Sequence, residues 1–250
     1  MNRRAGRNAR RTNRVGTKAR RRDTTRKGSS MKIGIIGAGN IGGNLTRRLT
    51  TLGHDVSVAN SRGPETLGEL AKETGATPVT VADAPRGAEL VIVTIPLKNI
   101  PSLPNDLFAD AAPGFTLIDT NNYYPQQRDG RIAGIEDEGL TESRWVAQQL
   151  GHTVVKAFNG TYAADILERP LPAGAPGRQA LPVAGDDADA KKLVRELIDE
   201  LGFDTVDAGG LDDSWRQQPG TPVYGLRGDV AAVTKALSEA SRERTADFQG

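Results

Sequence analysis

The sequence predicts an α/β chain: a Rossmann-type doubly wound parallel sheet with a small C-terminal α/β extension. Three observations carry that prediction. From Met31 onward short apolar runs alternate with helical patterns, as β-α-β units require. The first run, KIGIIGAGNIGG, opens directly into a glycine turn and a helix. The run ELVIVTIP is apolar throughout and stops at Pro96, as expected of a parallel strand buried on both faces.

The elements follow in order. Residues 32–36 form the first strand. Residues 40–52 read as a helix with Ile41, Leu45, Leu49 and Leu52 on one face, stopped by Gly53. The second strand is 55–59. Pro64 suits the first turn of a helix that ends near Thr74 and Gly75. A short strand is expected at 78–81, then the central strand in ELVIVTIP. FTLIDTNN and HTVVKAFNG are further strands, separated by a helix over 142–150. Beyond Asn159, RPLPAGAPGRQ reads as a loop. ALPVAGDDADAKKLVRELIDELGFDTVDAG is one more strand–helix–strand unit, with Leu193, Leu197 and Leu201 facing inward. Residues 229–244 read as a last amphipathic helix. The expected division is a basic tail over 1–30, a dinucleotide-binding domain over 31–160, and a small substrate or dimerisation region over 161–250.

Composition excludes several chemistries. The 250 residues contain no cysteine, which removes disulfides, thiolate zinc sites, iron–sulfur clusters and a cysteine nucleophile. The two histidines, His54 and His152, are too far apart in sequence to suggest a metal site, and both read as structural. No apolar run reaches the roughly 18 residues of a membrane span, and no signal-peptide core is evident. The expectation is a cytoplasmic protein with no membrane partner. Residues 1–30 carry 12 basic side chains and 1 acid, a net of +11. The other 220 residues, with 21 basic and 30 acidic, carry −9. The tail offers almost nothing to bury and is expected to be disordered. It reads as a phosphate-binding arm for nucleic acid, as an Arg-rich targeting segment, or as a stretch upstream of a natural start at Met31.

Ligands of a doubly wound sheet bind where the strands end. The first end carries Gly37, Gly39, Asn40, Ile41 and Gly42, a Gly-x-Gly-x-x-Gly turn. It lets a pyrophosphate approach the amides and the positive end of the helix. The second end is where an NAD fold places a carboxylate for the ribose 2′-hydroxyl. Here it reads Asn60, Ser61, Arg62. A guanidinium with a hydroxyl beside it suits a 2′-phosphate, so the sequence favours NADP(H) over NAD(H). The alternative is that Ser61 merely caps the next helix while Arg62 is solvated. Thr94, Ile95 and Pro96 would run beneath the nicotinamide half, although a strand-terminating proline is equally a structural stop. Asn121 stands among turn formers at the fifth end, and Ala157 and Asn159 at the sixth. No side chain is singled out as a catalytic acid or base. Tyr123, Tyr124, Tyr162 and Trp215 are candidates to stack on an aromatic acceptor.

KIGIIGAGNIGGNLTRRLTTLGHDVSVANSR, with VVKAFN and PVAGDD…VDAG downstream, resembles the coenzyme F-420-dependent NADP oxidoreductases over roughly residues 31–210. The resemblance implies that the glycine turn, Ser61 and Arg62 hold NADP(H), and that Ala157 lies near the nicotinamide. It also implies direct hydride transfer to a deazaflavin, coenzyme F-420, without an obligatory side-chain acid, in a homodimer. NNYYPQQRDGRIAGIEDEG and DDSWRQQPGTPVYG depart from the family pattern and are expected to shape the pocket of a small-molecule hydride acceptor. That acceptor is a deazaflavin, a flavin or a small carbonyl. Two other classes stay open: a module that senses NADP(H) without turnover, and a nucleic-acid-associated protein led by its tail.

Overall fold

The computed structural model describes residues 30–249. The tail expected over 1–30 lies, but for Ser30, outside the described residues. Eight strands form one sheet: β1 (Lys32–Ile36), β2 (Asp55–Ala59), β3 (Thr77–Pro78), β4 (Leu90–Val93), β5 (Thr116–Asp119), β6 (Val155–Lys156), β7 (Ala180–Gly185) and β8 (Asp204–Asp207). Their spatial order is β3-β2-β1-β4-β5-β6-β7-β8. All neighbours are parallel except β6 and β7, which run antiparallel. Among the described residues seven α-helices connect or cover them: α1 (Asn40–Thr51), α2 (Gly68–Thr74), α3 (Ala133–Glu136), α4 (Glu142–Leu150), α5 (Asp165–Glu168), α6 (Ala188–Glu200) and α7 (Val230–Ser238). The order reverses between β1 and β4, which is where a doubly wound sheet opens a crevice at its strand ends.

Alternation along the strands builds two large cores, and a third, smaller cluster packs α7 on β7 and β8. Ile33, Ile35 and Ile92 point to one face, with Leu45 and Leu49 of α1 and Val194, Leu197 and Ile198 of α6 packed on it. Ile36, Val91, Val93 and Leu117 point to the other, against Trp145 and Val146 of α4. The first core runs unbroken from Ile33 through Phe158 to Leu181 and Phe203. The chain after residue 160 therefore extends the same sheet and the same core. Side chains cap α4, α6 and α7: Thr141 accepts from the Arg144 amide, Asp187 from those of Asp189 and Ala190, and Asp229 from that of Ala232.

Three expected elements are shorter than the sequence indicates. HTVVKAFNG supplies only two strand residues. β6 bridges β5 and β7, and the chain then turns away at Phe158, whose φ is +63°. The strand near 78–81 is only Thr77–Pro78, because Pro78 brings no N–H and can only end an edge. The last helix stops at Ser238, since beyond Leu237 only Ala240 is apolar before Arg244.

Candidate functional site

The glycine turn after β1 divides into two structural glycines and one that faces open space. Gly37 has φ +111°, and a Cβ there would lie 2.2 Å from the Thr94 carbonyl oxygen. A Cβ on Gly42 would lie 1.8 Å from the Gly37 carbonyl oxygen, so Gly42 lets α1 pack against the turn. A Cβ on Gly39 would meet nothing within 4 Å. Gly39 is also the N-cap of α1; no side chain caps this helix, and its first turn holds no acid. The positive end of α1 thus points its amides into free space, as an anion site requires.

The turn after β2 is built by Asn60. Its Oδ1 accepts from the Arg62 amide at 2.9 Å, and its Nδ2 donates to Thr66 Oγ1 at 2.9 Å. Gly63, not Ser61, is the N-cap of the short helix that starts at Pro64. Ser61 and Arg62 are exposed and have no side-chain partner among the described residues. The capping alternative for Ser61 is therefore not the one the structure adopts.

A cavity of about 480 Å³ joins these two turns. Gly37, Ala38, Gly39, Asn60, Ser61 and Arg62 line one side, and Thr94, Ile95, Pro96 and the segment from Asn99 to Pro104 the other. A second cavity of about 370 Å³ continues past Gly39, Thr94, Ile95 and Pro96, which border both. Asn40, Ile41, Asn121, Phe158 and Asn159 line it, and so do Tyr124, Arg128, Tyr162 and Tyr224. Of the residues expected at the site, Gly42 and Ala157 line neither cavity. Gly42 is packed beneath the turn, and Ala157 is wholly buried in the core, with Phe158 forming the wall beside it.

Two amides in this second cavity differ in what they can still do. Both donor hydrogens of Asn159 are engaged, to Asn122 Oδ1 at 3.0 Å and the Gln217 carbonyl at 2.6 Å, so it braces the wall. Asn121 is buried, and its Nδ2 has no partner among the described residues. Its backbone is fixed from both sides. Asp119 accepts from its amide at 2.9 Å, and Lys156 Nζ donates to its carbonyl at 3.1 Å. Lys156 is in turn paired with Glu142 at 3.2 Å, both side chains fully buried. Burial pushes the Glu142 carboxyl above its ordinary value, and Lys156 opposes that rise.

The aromatic candidates separate. Tyr124 and Tyr162 line the second cavity, whereas Tyr123 and Trp215 line neither. Tyr123 is wholly buried, its hydroxyl accepting from the Ile132 amide at 3.0 Å. The Trp215 ring is covered by Arg216 and Arg242, at 4.5 and 5.2 Å. His152 packs on Phe115 with ring centroids 4.4 Å apart, and His54 Nδ1 accepts from the Met31 amide at 3.2 Å. Both histidines are structural. Individually, Arg128 and Tyr224 were not foreseeable as lining residues, because no local motif marks them. The two divergent segments that contain Arg128 and Tyr224 were the available signal.

Comparison with known proteins agrees with this geometry. The model of the family "NADP oxidoreductase coenzyme F420-dependent" matches residues 32–123. The crystal structure of protein SMa0349 from Sinorhizobium meliloti is 31% identical with a TM-score of 0.66, covering 79% of this chain and 94% of that one. A protein of Arthrobacter sp. FB24 named as an F420-dependent NADP reductase is 25% identical with a TM-score of 0.61, covering 73% of this chain and 86% of that one.

The chain belongs to this F420-dependent NADP oxidoreductase family. Among curated relatives it is 29% identical over 185 residues to rat metalloreductase STEAP3, 72% of this chain and 34% of the relative. It is 40% identical over 72 residues to Escherichia coli protein YjhV, 29% of this chain and 53% of that relative. The chain thus spans about a third of the length of the first of these curated relatives and about half of the second. The family match ends at Tyr123. It contains the glycine turn, Ser61 and Arg62, but not Tyr124, Arg128 or Tyr224.

Proposed function

We propose that the chain is an NADP(H)-dependent oxidoreductase that passes hydride between NADPH and a small-molecule acceptor seated in the second cavity. The observation that carries this is the pair of cavities meeting along Gly39, Thr94, Ile95 and Pro96, with Ser61 and Arg62 at the far end of the first. Gly39 and the uncapped start of α1 would hold the pyrophosphate. Arg62 and Ser61 would take the 2′-phosphate, and the Ile95–Pro96 wall would underlie the nicotinamide. The open space at Gly39 and the uncommitted Arg62 fit that cofactor. When bound, NADPH supplies a hydride; the chain binds it, orients it and separates it from solvent. A deazaflavin of the coenzyme F-420 type is the acceptor that the family points to.

The test is direct. NADPH binding is followed by calorimetry, then its oxidation by absorbance at the nicotinamide band with deazaflavin, flavin and carbonyl acceptors in turn. Binding with oxidation by one class of acceptor is expected. Tight binding with no oxidation by any of them would contradict the enzymatic reading and favour an NADP(H) sensor.

A further inference from the structure

One wall of the second cavity comes from chain segments outside the family match. Tyr124 and Tyr224, 100 residues apart, both line it, and their hydroxyls are hydrogen-bonded to each other. Both are partly buried, so the pair stands at the boundary between cavity and core. The Arg128 guanidinium lies 4.9 Å from the centre of the Tyr124 ring, anchored at 2.9 Å by Asp129, whose carboxylate also accepts from the Tyr124 amide at 2.8 Å. Among the described residues, the charged groups near the pair are Arg128, Asp129 and the buried Glu142 behind it. On the same cavity, the Asn121 amide nitrogen is a buried donor still without a partner.

The dinucleotide site proposed above makes no use of the tyrosine pair. The pair does suit the other half of a reduction. Adding a hydride to the carbon of a C=O, C=N or conjugated deazaflavin system leaves negative charge on the heteroatom, which must gain a proton. The geometry points to Tyr124, backed by Tyr224, as the catalytic proton donor to the acceptor's heteroatom. The acceptor is thereby a conjugated carbonyl or imine, deazaflavins included. The assignment rests on the oxidoreductase reading above. The Tyr124 O–H bond breaks and a heteroatom–H bond forms. The phenolate left behind is held by the Tyr224 hydroxyl and faces the Arg128 cation, and a solvent proton then restores it. Burial and the bond to Tyr124 push the Tyr224 phenol well above its ordinary value, so Tyr224 keeps its proton and can donate to the Tyr124 phenolate once that forms. Tyr224 is accordingly a positioning residue. Asn121 is placed to give the charged heteroatom a second donor.

The test compares wild type with Tyr124→Phe and Tyr224→Phe, using three probes: an 8-hydroxy-5-deazaflavin, menadione and 2-methylpyrroline. Kd for NADPH should stay within about twofold in both variants. With the best probe, kcat should fall about 10²- to 10⁴-fold in Tyr124→Phe, the span of general-acid catalysis, with KM little changed. In Tyr224→Phe a smaller loss should come with an altered solvent deuterium isotope effect on kcat, which a purely structural role would not move. A readout independent of turnover is the NMR of [13Cζ]tyrosine in the wild-type NADP⁺ complex. Adding the same probe should shift the Tyr124 and Tyr224 signals together. Failure of wild type to bind NADPH would sink the underlying oxidoreductase reading. If NADPH binds and is oxidised but both variants keep kcat within about threefold, the proton-donor role alone is overturned. If NADPH binds but no probe is reduced and none moves the tyrosine signals, the role is overturned too, and the cofactor assignment stands.

Discussion

Three glycines within six residues serve different ends, and substitution separates them. Gly37 and Gly42 are glycines because the fold has no room for a Cβ, at 2.2 Å from the Thr94 carbonyl and 1.8 Å from the Gly37 carbonyl. Gly39 has room and an ordinary φ of −76°. Gly42→Ala should therefore cost about 1–3 kcal/mol, the range of overpacking, and lower the melting temperature. Gly39→Val should fold and melt only slightly below wild type, the cost of a poorer N-cap being about 1 kcal/mol, yet lose NADPH binding in a calorimetric titration, since the branched side chain would occupy the space over the α1 amides. Near-normal affinity in a folded Gly39→Val protein would show that no pyrophosphate lies there. The glycine spacing was legible in the sequence, but which glycine is free for a ligand was not. That depends on how closely β4 approaches the turn.

At the scale of elements, apolar runs marked β1, β2, β4 and β5, because strands buried on both faces need them. The amphipathic stripes of α1 and α6 were equally readable. The pairing of β6 with β7 was not legible: two residues, Val155 and Lys156, join a parallel half to an antiparallel one, and no local signal gives the direction of a partner strand. Lys156 itself was hidden, since a lysine inside an apolar run does not announce its partner. Its pairing with Glu142 joins β6 to α4 beneath Asn121. Lys156→Met should destabilise the fold by about 3–5 kcal/mol at neutral pH, because it leaves the buried Glu142 carboxylate only Arg244, 3.8 Å away, as a counter-charge. The Glu142 carboxyl is already raised by burial and would rise further. A group with a raised folded value destabilises the fold progressively as pH climbs above the ordinary carboxylate value of about 4.3. The deficit should thus be small near pH 4 and full at pH 7 in denaturant titrations, and adding Glu142→Gln should recover part of it. A deficit independent of pH would mean that Lys156 contributes by packing alone.

Over the whole molecule, the sheet brings together residues far apart in sequence: the turns after β1 and β2, the wall after β4, and the tyrosines from 124 and 224. The first cavity lies within the matched family region, while much of the second is lined from beyond it. The divergence of the two late segments hinted at that split. That Tyr124 and Tyr224 would meet could not be read, because it requires the loop after β5 and the loop before α7 to close over one strand end. The cleft is proposed to hold NADP(H), with its 2′-phosphate on Arg62. The most direct test is the ratio of NADH to NADPH dissociation constants in wild type, Arg62→Ala and Asn60→Asp. An Asp at position 60 can still accept from the Arg62 amide, so the turn should survive. Arg62→Ala should weaken NADPH about 10- to 150-fold, the worth of a charged hydrogen bond, and leave NADH nearly unchanged. Asn60→Asp should weaken NADPH by repulsion and strengthen NADH through the ribose hydroxyls. A wild-type ratio near unity, or equal losses for both cofactors in Arg62→Ala, would contradict the claim.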